Sequence, residues 1–114
     1  MSEASTLSFD AAGLIPAVVQ DADTREVLVL AWMNAESIAR TYQTGRVTFW
    51  SRSRNELWEK GATSGNVLHL DRIYKNCEAN SLLVLARPTG PACHTGNTSC
   101  YYRPLDLAAD LPGD

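Results

Sequence analysis

The chain has too few cysteines to form a paired disulfide framework. It contains only three, an odd number, and its 114 residues suffice to bury roughly 65% of the unfolded surface around one core without covalent cross-links. The first ten residues lack the basic and apolar segments of a secretory signal. We therefore expect one domain over residues 1–114, frayed at residues 1–12, in a reducing, cytoplasmic compartment.

Long hydrophobic runs and an excess of positive charge are also missing. The longest apolar run, Val27–Met33, is far shorter than the roughly 20 residues of a membrane-spanning helix. The net charge is -3, whereas a protein that binds nucleic acid presents a broad basic face. Neither a membrane nor a nucleic acid is expected as a partner.

The positive charge that is present is concentrated in the middle of the chain. Between positions 40 and 75 lie only three acidic residues but seven of the ten basic ones, namely Arg40, Arg46, Arg52, Arg54, Lys60, Arg72 and Lys75. Trp50 and Trp58 are interleaved with them. Such a local basic segment in an acidic protein favours a small anionic ligand, although a solvated surface with scattered arginines is the alternative.

The hydrophobic pattern predicts an α+β fold. Apolar, β-branched or alternating segments predict strands over residues 14–20, 27–33, 47–51, 57–60, 67–75 and 82–86. The first two should pair as a hairpin, with the second of them buried. Asn34 is a strong N-cap and Gly45 a C-terminal stop, so one helix is predicted over residues 35–44. We expect a small, mostly antiparallel sheet framework with this one main helix.

The three cysteines allow two interpretations. Cys77, Cys93 and Cys100 match no pattern of paired C-x-x-C zinc knuckles, so three free core thiols are one possibility. Their neighbours are polar, however, and the segment between Cys93 and Cys100 is a polar loop where a buried structural thiol would be unexpected. Thiols among polar groups at chain turns are better placed as metal ligands.

If all three thiolates bound one zinc ion, its fourth position would stay open, as in catalytic sites. His94 directly follows Cys93, and adjacent side chains in an extended chain point to opposite sides. His94 is then better suited to an acid–base role than to ligation. A purely structural histidine is the alternative.

Four sequence blocks occur in a fixed order: WMN at 32–34, FWSRSR at 49–54, LWEKGATSGN at 57–66, and ACHTG followed by SC at 92–100. Together they resemble the phosphoribosyl-AMP cyclohydrolase family of histidine biosynthesis, over residues from about 13 to 102. The resemblance implies hydrolytic opening of the N1–C6 bond of the adenine ring in 1-(5-phosphoribosyl)-AMP. The product would be the formimino-aminoimidazole carboxamide ribonucleotide.

The resemblance also implies the metal centre and the assembly. Zinc, one ion per subunit, would be held by Cys77 of one subunit and by Cys93 and Cys100 of its partner in an intertwined homodimer. His94 would be the catalytic residue that carries the proton.

The substrate carries two phosphates, two riboses and a purine, and candidate ligands for each lie in the two central blocks. Phosphates suit guanidinium and ammonium groups, hydroxyls and exposed backbone N–H groups, which here are those of Arg52, Arg54, Lys60, Thr63, Ser64 and Gly65. Trp50 or Trp58 could stack on the base, with a core position as the alternative for either.

The chain departs from the family at the first cysteine. Family members read Asp-Cys-Asp-x-Asp, three carboxylates that bind magnesium, whereas this chain has Asn76, Glu78 and Asn80 around Cys77. We expect a weak Mg²⁺ site completed by water and substrate phosphate, because amide carbonyls hold this hard cation less strongly. Loss of the second metal, or a changed substrate, are the alternatives.

Two rival functions follow from these observations. One is a zinc hydrolase acting on a related purine nucleotide, and the other is a non-catalytic, zinc-stabilised dimeric binding module. Some members of the family continue into a phosphoribosyl-ATP pyrophosphohydrolase domain. Because this chain stops at Asp114, we expect it to be monofunctional.

Overall fold

The computed structural model describes residues 6–113, which form an α+β fold with a mixed four-stranded sheet and a separate two-stranded hairpin. The elements are β1 (Ile15–Asp21), β2 (Val27–Met33), α1 (Ala35–Thr44), β3 (Thr48–Ser51), β4 (Glu56–Glu59), β5 (Leu68–Lys75), β6 (Leu82–Pro88) and α2 (Leu107–Asp110). Each predicted strand is present within two residues of its expected ends, and α1 has the predicted bounds. The four-residue helix α2 was not predicted.

The main sheet has the strand order β2-β1-β6-β5. β1 pairs antiparallel with β2, which confirms the predicted hairpin, and β6 pairs antiparallel with β5. The central pair of β1 and β6 is parallel. Three of the four strand pairings are thus antiparallel, as expected. The main sheet is nevertheless mixed, because two hairpins distant in sequence join along their inner strands β1 and β6.

The prediction that β2 is buried was wrong. β2 lies at the edge of the sheet, and Val27 and Leu30 are 41% and 44% exposed. Leu28 and Met33 on the same strand are fully buried. The continuous apolar run therefore combines a core-facing side with a second apolar surface that packing within residues 6–113 leaves open.

Helix α1 starts and ends where its capping residues predict. The Asn34 side chain accepts a hydrogen bond from the Ser37 N–H at 2.8 Å, and the Ser37 hydroxyl accepts one from the Asn34 N–H at 2.9 Å. Gly45 ends the helix in the left-handed conformation with φ 76° and donates its N–H to Thr41. Residues with a side chain adopt this conformation at a cost.

Val47 joins the β3–β4 hairpin to the rest of the molecule. Its N–H donates to the Leu68 carbonyl at 2.9 Å, and its carbonyl accepts from the Lys60 N–H at 3.1 Å. The fully buried Phe49 of β3 packs against the Trp58 ring of β4, with 5.6 Å between the centroids. This anchoring places the loop after β4 on the framework.

The core lies on one face of the main sheet. Alternate residues of β1 and β6 are buried there together with residues of β2, β3 and β5 and with Val47, which precedes β3. The buried residues are Ile15, Ala17, Val19, Leu28, Met33, Val47, Phe49, Leu68, Val84 and Ala86. Leu7 and Phe9 pack against this cluster, and the Ser8 N–H donates to the Ala79 carbonyl at 2.7 Å.

Apolar contacts and this hydrogen bond thus connect Leu7 to Phe9 with the core, and the fraying expected over residues 1–12 stays a prediction. Residues 1–5 lie outside the described part. Between residues 6 and 113 no helix has the length and apolar character needed to cross a membrane.

Candidate active site

The loop from Ala92 to Cys100 carries two of the three cysteines and is fixed to β2. The Cys100 N–H donates to the Leu28 carbonyl at 2.8 Å, and the Ser99 hydroxyl donates to the Val27 carbonyl at 2.6 Å. Within the loop, the Cys93 N–H donates to the Asn97 carbonyl at 3.1 Å. Six intervening residues thus fold back on themselves, and this turn brings Cys93 and Cys100 together.

The two thiols interact with each other and differ in acidity. The Cys93 sulfur lies 3.0 Å from the Thr95 hydroxyl oxygen. Hydrogen bonds from Thr95, and to a lesser extent from the Cys100 thiol and the charge of Lys60, lower the pKa of Cys93. Burial, together with the neighbouring Cys93, raises the pKa of Cys100. Cys93 is therefore the more acidic of the two thiols, and thiolate is the metal-binding form of cysteine.

Cys93 opens into a cleft of about 310 Å³, which we call the thiol cleft. Its lining is formed by Trp58 and Lys60 of the hairpin, the loop after β4, and the segment that follows Pro91. The residues are Trp58, Lys60, Gly61, Ala62, Thr63, Ser64, Asn66, Pro91, Ala92, Cys93, His94 and Gly96. The predicted acid–base residue His94 and three predicted phosphate ligands, Lys60, Thr63 and Ser64, thus share one cleft with a predicted zinc ligand.

A second cleft, of about 640 Å³, lies across Trp58, and we call it the tryptophan cleft. It is lined by Leu30, Ala31, Trp32, Trp50, Ser51, Arg52, Ser53 and Trp58. Trp58 lines both clefts and therefore forms the wall between them. The predicted base-stacking residue Trp50 and the predicted phosphate ligand Arg52 belong to the tryptophan cleft.

Two predicted phosphate ligands line neither cleft. Arg54 lies in the β3–β4 turn, where its Nε is 3.5 Å from a carboxylate oxygen of the exposed Glu56. The Gly65 N–H donates to the Gly61 carbonyl at 2.8 Å, so it is already used inside its own loop. Gly61 itself has φ 88°, and a Cβ there would overlap the backbone of Asn66.

Cys77 lies apart from the other two cysteines within this chain. It is exposed in the turn between β5 and β6, whereas Cys93 is buried. Over the described residues, no three His, Cys, Asp or Glu side chains come together as a metal-binding group. One chain by itself therefore presents the Cys93–Cys100 pair, which fits two positions of a tetrahedral zinc site.

The residues around Cys77 do not fit a magnesium ion. The Asn76 amide donates to the Asn80 side-chain oxygen at 2.6 Å, and the Asn76 side-chain oxygen accepts two backbone N–H groups. Of the three residues expected to bind Mg²⁺, only Glu78 carries a carboxylate. Mg²⁺ requires octahedral oxygen ligation that usually includes carboxylates or phosphates.

Two residues of the site were missed from the sequence. Trp32 lines the tryptophan cleft with its ring 4.5 Å below the Arg52 guanidinium, and Thr95 contacts the Cys93 sulfur. Thr95 could have been suspected because it is a hydroxyl residue two positions after a candidate ligand. The Trp32–Arg52 contact joins separate elements and leaves no local signal.

Comparison with known proteins identifies the family of this chain. The family model of phosphoribosyl-AMP cyclohydrolase matches residues 29–102, which include both clefts and all three cysteines. The chain is similar to proteins named phosphoribosyl-AMP cyclohydrolase from three bacteria. Identity is 64% with that of Roseobacter denitrificans (84% of this chain, 75% of the relative), 58% with Ruegeria pomeroyi (86% and 82%) and 56% with Lactiplantibacillus plantarum (83% and 88%). With a family-model match over residues 29–102 and this identity over most of its length, the chain belongs to the phosphoribosyl-AMP cyclohydrolase family of enzymes.

Proposed function

We propose that this chain opens the adenine ring of 1-(5-phosphoribosyl)-AMP by hydrolysis of the N1–C6 bond, as a step of histidine biosynthesis. The observation that carries the proposal is the thiol cleft, which Cys93 and His94 line together with Lys60, Thr63 and Ser64. These groups supply a metal ligand, a proton carrier and a phosphate-binding cation in one place. The family membership supports the substrate.

The proposed metal is zinc, one ion per subunit, held by Cys93 and Cys100 of one subunit and by the partner subunit's Cys77. The hydrogen bonds that lower the pKa of Cys93 support ligation by this residue, and the contact of the Cys100 thiol with Cys93 supports Cys100 as the second ligand. The exposure of Cys77, and its separation from that pair, support a ligand donated between chains. Since thiolate ligands must stay reduced, we place the enzyme in the cytoplasm.

A homodimer is part of this proposal. Large apolar side chains remain exposed after Cys100, namely Tyr101, Tyr102, Leu105, Leu107 and Leu111. Val27 and Leu30 at the sheet edge are also exposed. Association with a second copy would remove these surfaces from water while it supplies the third thiolate.

The reaction adds one water molecule across the N1–C6 bond. A bound zinc ion would supply a Lewis acid that lets water act as a nucleophile near neutral pH. The water oxygen bonds to C6, the N1–C6 bond breaks, and its electron pair goes to N1. His94, exposed on the rim of the thiol cleft beside Cys93, delivers the proton to N1. Because the N1-substituted adenine ring enters the reaction as a cation, the second water proton leaves to solvent, and the C6 group becomes a neutral carboxamide.

The two clefts suit the two phosphoribosyl arms of the substrate. Lys60 lines the thiol cleft and Arg52 the tryptophan cleft, so each cleft contains one cation. We assign each cation to one phosphate, with the Thr63 and Ser64 hydroxyls beside Lys60. Trp50 offers a ring for stacking on the base.

Purified protein should contain one zinc per chain, be dimeric, and turn over phosphoribosyl-AMP in preference to AMP, adenosine and GTP. His94→Ala should leave a folded zinc-bound dimer whose turnover falls by about 10²-fold or more, because the proton carrier is lost. Negligible turnover of phosphoribosyl-AMP by the zinc-loaded protein would contradict the proposal. Preference for another of these nucleotides would favour the related hydrolase, and an unchanged rate after His94→Ala would exclude the assigned proton carrier.

A further inference from the structure

The turn between β5 and β6 is closed by one amide pair. The Asn76 side-chain oxygen accepts the N–H groups of Asn80 and Ser81 at 2.9 and 3.1 Å. The Asn76 side-chain nitrogen donates to the Asn80 side-chain oxygen at 2.6 Å. The backbone adds two bonds, from the Ala79 N–H to the Asn76 carbonyl and from the Asn76 N–H to the Ser81 carbonyl.

These bonds use most of the oxygen atoms that a cation would need. Both lone pairs of the Asn76 side-chain oxygen are engaged, and one of those of Asn80 is engaged. Glu78 alone offers an anionic oxygen, and it is exposed to water. A divalent cation that recruited the two amides would have to break bonds that already satisfy them, in exchange for neutral ligands that bind it weakly.

We propose that the Asn76–Asn80 amide pair holds the Cys77 turn closed without a divalent cation, so that this chain uses no second metal at residues 76–80. The hydrogen bond between the two side-chain amides joins the two ends of the turn. Two carboxylates at the same positions would repel each other, and a cation would be required to offset that repulsion. The Cys77 thiol is thereby presented from a preformed turn. This inference concerns the turn itself and stands whether or not the proposed reaction is correct.

The first test is magnesium binding to the full-length, zinc-loaded protein. With MgCl₂ up to about 10 mM, the midpoint of thermal unfolding should move by less than about 1 °C, because a ligand that does not bind the native state cannot stabilise it. Calorimetric titration with MgCl₂ should detect no binding. Saturable binding in the submillimolar range would overturn the proposal, as would a Mg²⁺-dependent rise in turnover at saturating substrate.

The second test restores the carboxylates. Without Mg²⁺, the double variant Asn76→Asp, Asn80→Asp should unfold at a temperature several degrees lower than the native chain. The hydrogen bond between the two side-chain amides is lost, and the two new carboxylates and that of Glu78 repel one another. Mg²⁺ should then raise its unfolding midpoint. The variant Gln43→Glu, Asn55→Asp adds the same two charges at exposed positions outside the turn and should show no Mg²⁺ response.

Asn80→Ala provides a milder variant if the doubly charged chain fails to fold. It removes the 2.6 Å amide contact and adds no charge. Faster hydrogen exchange at the Ser81 N–H is expected, with no recovery on addition of Mg²⁺. Unchanged exchange would show that the pair does not hold the turn and would overturn the proposal.

Discussion

The Arg52 guanidinium lies 4.5 Å from the centroid of the Trp32 ring, at one side of the tryptophan cleft. The ring thus holds in place a side chain that we assign to a substrate phosphate. Trp32→Leu should raise KM about 2–5-fold with little change in kcat, since an exposed cation–π contact contributes ~0.5–1 kcal/mol. Steady-state kinetics with phosphoribosyl-AMP measures both constants. Trp32→Phe keeps a ring and should have a smaller effect; equal effects of the two variants would count against this contact.

The two arginines of the β3–β4 turn should differ in their importance. Arg52→Ala removes a cation from the tryptophan cleft, and loss of a charge-assisted phosphate contact of about 1.5–3 kcal/mol predicts a KM increase of roughly 10–100-fold. Arg54 lines neither cleft and pairs with the exposed Glu56, so Arg54→Ala should change KM less than about 2-fold. The same kinetic assay tests both variants. A larger effect for Arg54→Ala would reassign the phosphate contact.

The loop after β4 depends on a glycine at position 61. Gly61→Ala introduces a Cβ that overlaps the backbone of Asn66 and Val67, in addition to the cost of φ 88°. Gly65→Ala has a similar φ of 83° but meets nothing within 4 Å, so it serves as the matched control. Chemical denaturation should give a loss of about 1 kcal/mol for Gly65→Ala and a clearly larger loss for Gly61→Ala. Equal losses would mean that the loop adjusts without cost.

Sharing of the zinc site between subunits predicts complementation. Cys77→Ser and Cys100→Ser should each be inactive alone, because every site then lacks one thiolate. After the two are mixed, unfolded and refolded together with zinc, heterodimers would contain one intact site, formed by Cys100 of one subunit and the partner subunit's Cys77. Random pairing predicts about a quarter of the native turnover. No recovered activity in a mixture that forms heterodimers would contradict a site that takes Cys77 and Cys100 from different subunits.

Much of the fold could be predicted locally. Helix α1 was predicted to the residue because Asn34 and Gly45 act on neighbouring backbone groups, and both caps are present. The strands were found through their apolar pattern. The prediction failed at β2, whose continuous apolar run could not reveal that Val27 and Leu30 face outward at a sheet edge.

The sequence predicted candidate residues for the site but not how the fold arranges them. The sequence identified the thiols, His94 and the basic hairpin, and the fold brings Lys60, His94 and Cys93 into one cleft. Arg54 and Gly65 line neither cleft; Arg54 forms an exposed ion pair and Gly65 a backbone hydrogen bond within their own turns. Such competing partners are invisible in a list of residue types.

The sequence by itself determined which chemical groups the protein carries, where its chain turns, and the family to which it belongs, since these depend on residue type, spacing and order. Only the tertiary structure decided that β1 and β6 pair in parallel, that Trp58 separates two clefts, and that Asn76 bonds to Asn80. The physical reason is that these relationships arise from packing and from hydrogen bonds between groups that compete for partners in three dimensions. The hydrophobic periodicity of a segment indicates which of its residues face the core, but not which residues of other segments they contact.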